Sequence, residues 1–253
     1  TLSGGPLAVG DEVELYPTGV RARVRGLQSH KRSIEKALPV SRVAVNLAGT
    51  DREDLNRGDV LALPGQWRPT TVFEARVRPI RGLDRPLTSR GAYKLYAGAA
   101  ERDARIRFLT DPASPEGAFA RIRVREPLVL DVFDRFVVRE AGRHATVGGG
   151  LVLDIAPPLR PGADAEQRLT ARENAERSQL PALLVAERGA VRIADVLPLT
   201  GAPRGDDVAG CVPTGEWLVS DALHSDVIAA ITDALERFHA DNPLRAGAEL
   251  GLV

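Results

Sequence analysis

At 253 residues, with 43% hydrophobic and 27% charged residues, the chain is long enough for two or three packed domains and too apolar to be disordered. It contains no apolar run of 18 residues and no basic-then-apolar leader at its start, so neither a membrane helix nor a secretory signal is read, and a cytoplasmic location is expected. A net charge of zero conceals an asymmetry: residues 1–158 carry 25 Lys plus Arg against 19 Asp plus Glu, and the remainder 9 against 15, so only the first part invites a polyanion.

In chain order, residues 11–63 read as short strands with turn punctuation. Asp11 to Tyr16 is a strand and Pro17-Thr18-Gly19 a turn. Val20, Ala22 and Val24 then alternate with Arg21, Arg23 and Arg25 in the period-two pattern of a half-buried strand. Ser41 to Leu47 alternates likewise, burying Val43, Val45 and Leu47 and turning Arg42, Ala44 and Asn46 outward. A polar turn over Asp51 to Gly58 leads to another strand, giving a small barrel. Pro64 to Pro69, around Trp67, reads as a linker.

A second β unit follows, with strands at Val72–Arg78, Ala104–Phe108 and Phe119–Arg125. Its arginines at 105, 107, 121, 123 and 125 are expected on a solvated sheet face. The hairpin RFVVREAGRHATVGGGLVLD, residues 135–154, closes it as the last of six strands. In Gly148-Gly149-Gly150 three residues lack side chains, so another backbone can come close or φ can turn positive. A contact surface and a bulge in the barrel both satisfy that pattern.

Beyond Pro161 the periodicity becomes helical. Residues 164–188 carry helix formers stopped by Gly189, Ala190 to Ile193 is a short strand and Asp195 to Thr200 a short helix. Asp221 to Ala240 is a helix with Leu223, Val227, Ile228, Ile231, Leu235 and Phe238 on one stripe. Helices around a small sheet suggest a winged-helix module. The fold class is therefore two β-barrels, residues 1–66 and 67–158, then an α+β winged-helix module, 159–253. Cys211, the only cysteine, excludes an internal disulfide and any multi-cysteine metal site, and reads as a small apolar residue rather than a catalytic thiol. No metal site and no catalytic residue are predicted. The chain opens on Thr1 and has no Met, so an internal piece of a longer polypeptide is expected.

Several stretches together resemble one family. VRGLQSHKRSIEKALPVSRVAVNLAGTDREDLNRGDVL, residues 24–61, is similar to the second domain of elongation factor Tu-type translational GTPases, with wording nearest the bacterial selenocysteine-specific elongation factors. The 135–154 hairpin resembles the end of their third domain, where R-x-x-T-V-G-x-G recurs; Arg143-His144-Ala145-Thr146 departs from the shorter elongation factor Tu form as the selenocysteine branch does. Phe238-His239, followed by Pro243-Leu244-Arg245 and Gly247, looks like the close of the family's first winged helix.

The resemblance implies a factor that carries selenocysteinyl-tRNA to the ribosome at recoded UGA codons. GTP and Mg would belong to a nucleotide domain that this stretch lacks, since no G-x-x-x-x-G-K-[ST] loop occurs. The stretch itself is expected to hold no cofactor, and whether it counts as an enzyme is left open. The first strand of domain two is also expected to be missing, and an mRNA hairpin would be read by modules further along. The partners implied are selenocysteinyl-tRNA and the ribosome, with no membrane, for a monomeric factor.

By resemblance, Arg42 matches the arginine that contacts the selenolate, an anion at neutral pH; Gln28, His30 and Lys31 border the aminoacyl end, and Arg57 meets the acceptor end. The hairpin residues Arg143, Thr146 and Gly149 match a T-arm contact. The alternatives are a fragment of another elongation factor Tu-like GTPase and a winged-helix nucleic-acid-binding regulator, the latter opposed by the acidic charge of the C-terminal part.

Overall fold

The structure, a computed structural model, describes residues 1–50, 53, 55–83, 85–142, 145–203, 208–245 and 247. The chain forms two compact units, Thr1–Glu173 and Asn174–Val253.

Unit 1 begins with seven strands: β1 (Leu7–Ala8), β2 (Glu12–Tyr16), β3 (Val20–Ser29), β4 (Arg32–Ile34), β5 (Lys36–Ala37), β6 (Ala44–Ala48) and β7 (Val60–Ala62). They make a sheet ordered β4-β3-β2-β7, with β6 on β3, and a β1-β5 pair. The alternation in the sequence sets the faces: Ala22 and Val24 are buried while Arg21, Arg23 and Arg25 are exposed. Val13, Ala22, Val24, Leu27 and Ala37 form the core, with Val43, Val45, Leu47 and Leu61 packed around it. The turn between β2 and β3 closes through Gly19, whose amide donates to Leu15 O at 2.7 Å with φ at 77°.

The linker around Trp67 is tied back to β2, the Gly65 amide donating to Glu14 Oε2 at 3.1 Å. Six strands then close a barrel: β8 (Thr70–Pro79), β9 (Tyr93–Ala97), β10 (Ala100–Phe108), β11 (Ala118–Leu128), β12 (Arg135–Glu140) and β13 (Thr146–Asp154), ordered β10-β11-β8-β13-β12-β9. Closure satisfies the backbone groups that an open edge would leave bare. Its interior holds Phe73, Ala75, Val77, Leu95, Ile106, Ile122, Phe136, Val138 and Val152, with Phe73 and Phe136 edge to face at 5.7 Å.

The glycine run lies inside β13, between β12 and β8. A Cβ on Gly150 would stand 2.3 Å from Arg76 O and 2.4 Å from Phe136 Cζ. The missing side chain is what admits the aromatic ring. The bulge sits one step along, at the register shift between Val138 and Arg139.

One expectation is overturned on the barrel's outer face. Arg121 is not solvated: it is 4% exposed, and its Nε and Nη2 donate to Glu74 Oε1 at 3.0 and 2.7 Å. The cover is α1 (Ala165–Asn174), whose Leu169 packs on Phe119 and Leu153. From the same helix Arg168 donates to Glu74 and, at 2.9 Å, to Asp154 Oδ2. Arg172 Nη1 donates to Leu153 O at 3.2 Å. Buried acids survive here because each meets guanidinium groups in hydrogen-bonding geometry. Arg76, stacked 3.6 Å over the Phe119 ring, also holds Glu173 through Nε at 3.0 and 3.1 Å. The helical stretch beginning at 164 thus breaks after α1, and this first helix packs within unit 1.

Unit 2 contains a 3-10 turn (Arg177–Gln179), α2 (Leu180–Arg188), β14 (Ala190–Arg192), α3 (Ile193–Thr200), β15 (Cys211–Thr214), β16 (Trp217–Ser220) and α4 (Asp221–Asp241). The sheet order is β14-β16-β15. Gly189 ends α2 at φ 76°, and Ser220 caps α4, its Oγ accepting from the Leu223 amide at 3.3 Å. Leu180, Leu184, Val185, Val191, Val196, Leu199 and Leu218 form the core. The apolar stripe of α4 is not part of it, with Val227 46% and Ile228 52% exposed. Among the described residues, no helix is long and apolar enough to cross a membrane.

Candidate nucleic-acid interface

The positions of interest in the first sheet gather where β3 turns into β4. Ser29 pairs with Arg32, which leaves a two-residue loop of His30 and Lys31 at φ 51° and 64°. Both are left-handed, as the twist of a tight hairpin demands, although neither residue is the glycine or asparagine such loops favour. Holding a side-chain-bearing residue there costs about 1 kcal/mol. The loop projects His30 and Lys31 into solvent.

Gln28 precedes the loop on β3 and pairs across to Ala44 on β6. Two residues before Ala44 lies Arg42, exposed on the outward side of the alternation. Its carbonyl accepts from Ser29 Oγ at 3.4 Å, which brings the Arg42 backbone beside the hairpin. Its guanidinium forms no hydrogen bond or ion pair among the described residues. An open concavity of about 400 Å³ adjoins this region, lined by Gln28, Asn46, Ser33, Arg25 and Glu35 among others. Arg42, His30 and Lys31 stand outside that wall. Asn46 and Arg25 were not singled out from sequence; their outward place in the β3 and β6 alternations is the signal that marks them.

Arg57 is exposed in the turn before β7. That turn is fixed by the Asn56 amide on Asp59 Oδ2 at 2.7 Å and by Gly58, at φ 103°. A Cβ on Gly58 would lie 2.9 Å from Ala100 Cα on β10, so the turn presses against the barrel and Arg57 stands at the junction of sheet and barrel.

The hairpin residues are spread along β13. Thr146 is exposed at its first position, opposite Arg139. Gly149 is paired on both sides, with Val137 and Arg78, and a Cβ there would meet Phe136 O at 2.7 Å. Arg143 lies outside the described residues. No group of three or more His, Cys, Asp or Glu placed to hold a metal ion occurs among the described residues.

Two family models cover the β part of the chain. Elongation factor Tu domain 2 matches residues 2–62, and the β-barrel domain of selenocysteine-specific elongation factor matches residues 75–159. The closed barrel belongs to the selenocysteine-specific elongation factor family. In agreement, the selenocysteine-specific elongation factor of Desulfomicrobium baculatum is 33% identical over 208 residues, 79% of this chain and 32% of the relative. Elongation factor 1-alpha of Ignicoccus hospitalis is 28% identical over 177 residues, 60% of this chain and 39% of its own length.

Among solved structures, a bacterial selenocysteine-specific elongation factor, EF-Sec, superposes with a TM-score of 0.76 at 19% identity, over 94% of this chain and 39% of that one. SelB from Methanococcus maripaludis, in complex with the GTP analogue GppNHp, gives 0.55 at 20% identity over 62% of this chain and 39% of its own. These likenesses concern the fold. The chain spans about a third of the length of the selenocysteine-specific relative it matches.

Proposed function

We propose that this chain is the part of a selenocysteine-specific elongation factor that holds selenocysteinyl-tRNA for delivery to the ribosome at recoded UGA codons. The observation that carries this reading is Arg42, a guanidinium exposed and without a partner among the described residues, two residues before β6 and beside the β3–β4 hairpin. A selenol is far more acidic than an alcohol or a thiol, so the group to be recognised is an anion, and a charge-assisted contact to it is worth about 1.5–3 kcal/mol. Gln28, His30 and Lys31 border the same end of the tRNA, Arg57 takes the acceptor strand, and Arg143, Thr146 and Gly149 belong to the T-arm contact.

GTP and Mg act through a nucleotide domain of the whole factor, which works as a cytoplasmic monomer. Unit 2, with two helices around β14 followed by the β15–β16 pair, is the first of the winged-helix modules, and later modules read the mRNA hairpin. In the full-length factor, Arg42→Asn should lower the preference for selenocysteinyl- over seryl-tRNA by about one to two orders of magnitude, the worth of that contact at 1.4 kcal/mol per tenfold. Unchanged preference would overturn the assignment.

A second reading, a general elongation factor of the elongation factor Tu type, is favoured by the match to elongation factor 1-alpha. It requires that ordinary aminoacyl-tRNAs bind as tightly as selenocysteinyl-tRNA, which the same assay decides.

A further inference from the structure

The outer face of β10 and β11 carries arginines in opposed pairs. Arg105 stands directly across from Arg123, and Arg107 across from Arg121. Like charges placed opposite each other on a sheet repel. Arg121 escapes by turning into Glu74 and the Leu159 carbonyl. Arg105, Arg107 and Arg123 do not: all three are exposed, and none makes a hydrogen bond or ion pair among the described residues. The nearby acids are committed elsewhere. Asp103 holds Lys94 at 2.7 Å with Arg125 also in its field, and Glu126 faces Arg102 at 3.8 Å.

We propose that this arginine ladder binds the phosphate backbone of duplex RNA. Across the strands the pairs lie about 5 Å apart and along each strand about 7 Å apart, a grid on the scale of successive phosphates in a nucleic-acid strand. The intervening residues Ala104, Ile106, Ile122 and Val124 are buried inside the barrel, so the face offers no apolar centre of the kind a protein partner or a membrane would use. No aromatic side chain stands between the arginines for unpaired bases to stack on, which disfavours a single strand. The ladder is also far from the glycine hairpin, since β10 and β11 occupy the opposite side of the six-strand ring from β13 and β12.

The choice of RNA over DNA rests on the proposed function, while the backbone contact rests on charge alone. The test is therefore an RNA duplex of about 16 base pairs, the span of a typical duplex-RNA-binding domain, with no aminoacyl group, titrated with the whole chain at several salt concentrations. The double variant Arg105→Glu with Arg123→Glu should reduce the slope of log K against log salt by about 2, at roughly 0.9 per phosphate contact, and Arg105→Gln with Arg123→Gln should do nearly the same. Arg21→Glu, on the exposed pair with Glu12 in the first sheet, should leave the slope unchanged.

No binding by the native chain, or a slope indifferent to both ladder variants, overturns the proposal. Equal affinity for a DNA duplex of the same length overturns the assignment to RNA. A native chain that binds the duplex while the full-length factor shows no preference for selenocysteinyl-tRNA would refute the proposed function and keep the ladder.

Discussion

Glu74 on β8 and Arg121 on β11 meet with both side chains out of solvent, two guanidinium N–H groups donating to one carboxylate oxygen at 3.0 and 2.7 Å. The pair is 47 residues apart in sequence and is completed by Arg168 from α1. Glu74→Gln would leave two buried cations short of their counter-charge. A loss of about 3–5 kcal/mol is expected, read as a lower urea midpoint. Glu101→Gln, at an exposed ion pair with Lys94, should change stability by less than about 1 kcal/mol.

The glycine run makes a second contrast. Gly150→Ala would drive a methyl against Arg76 O and the Phe136 ring, and overpacking of this kind costs about 1–3 kcal/mol. Gly142→Ala, with nothing within 4 Å of its Cβ, should be close to neutral. Thermal unfolding of the two variants side by side checks this. Equal melting temperatures would mean that β13 has room the structure does not show.

Burial, and secondarily the charge of Asp221, pushes the Cys211 thiol above its ordinary value. Because the thiolate is the nucleophile, a raised value leaves less of it at any pH below the shifted midpoint. Cys211 should therefore alkylate more slowly than a free thiol at pH 8, with the rate rising through a higher pH. Asp221→Asn should move that profile partway back. A profile matching glutathione would contradict the environment described here.

The strands were legible wherever alternation was strong. Arg21, Arg23 and Arg25 against Ala22 and Val24, and Arg42 against Val43, fall on the faces that period two assigns. Arg121 and Arg123 show the limit of that rule. They occupy equivalent outward positions on β11, yet one is buried and the other exposed, because Glu74 and α1 cover only the first. A one-dimensional pattern cannot see a partner 47 residues away. The α4 stripe fails in the converse way: periodicity identifies an apolar face but not whether anything covers it. At the candidate site, the outward placement of Arg42 could be read directly. The left-handed loop at His30-Lys31 could not, since neither residue type requires that conformation.

The arginines of α1 also bear on where this polypeptide can be cut. A truncation at Pro158 would follow the composition change but remove Arg168, Arg172 and Glu173, leaving Glu74 with Arg121 alone and Asp154 with neither of its two guanidinium partners. Such a fragment would expose the Phe119 and Leu153 surface that Leu169 covers and invite aggregation. The compact unit containing the barrel extends through Glu173, and a domain swap between related factors should place its splice point after that residue.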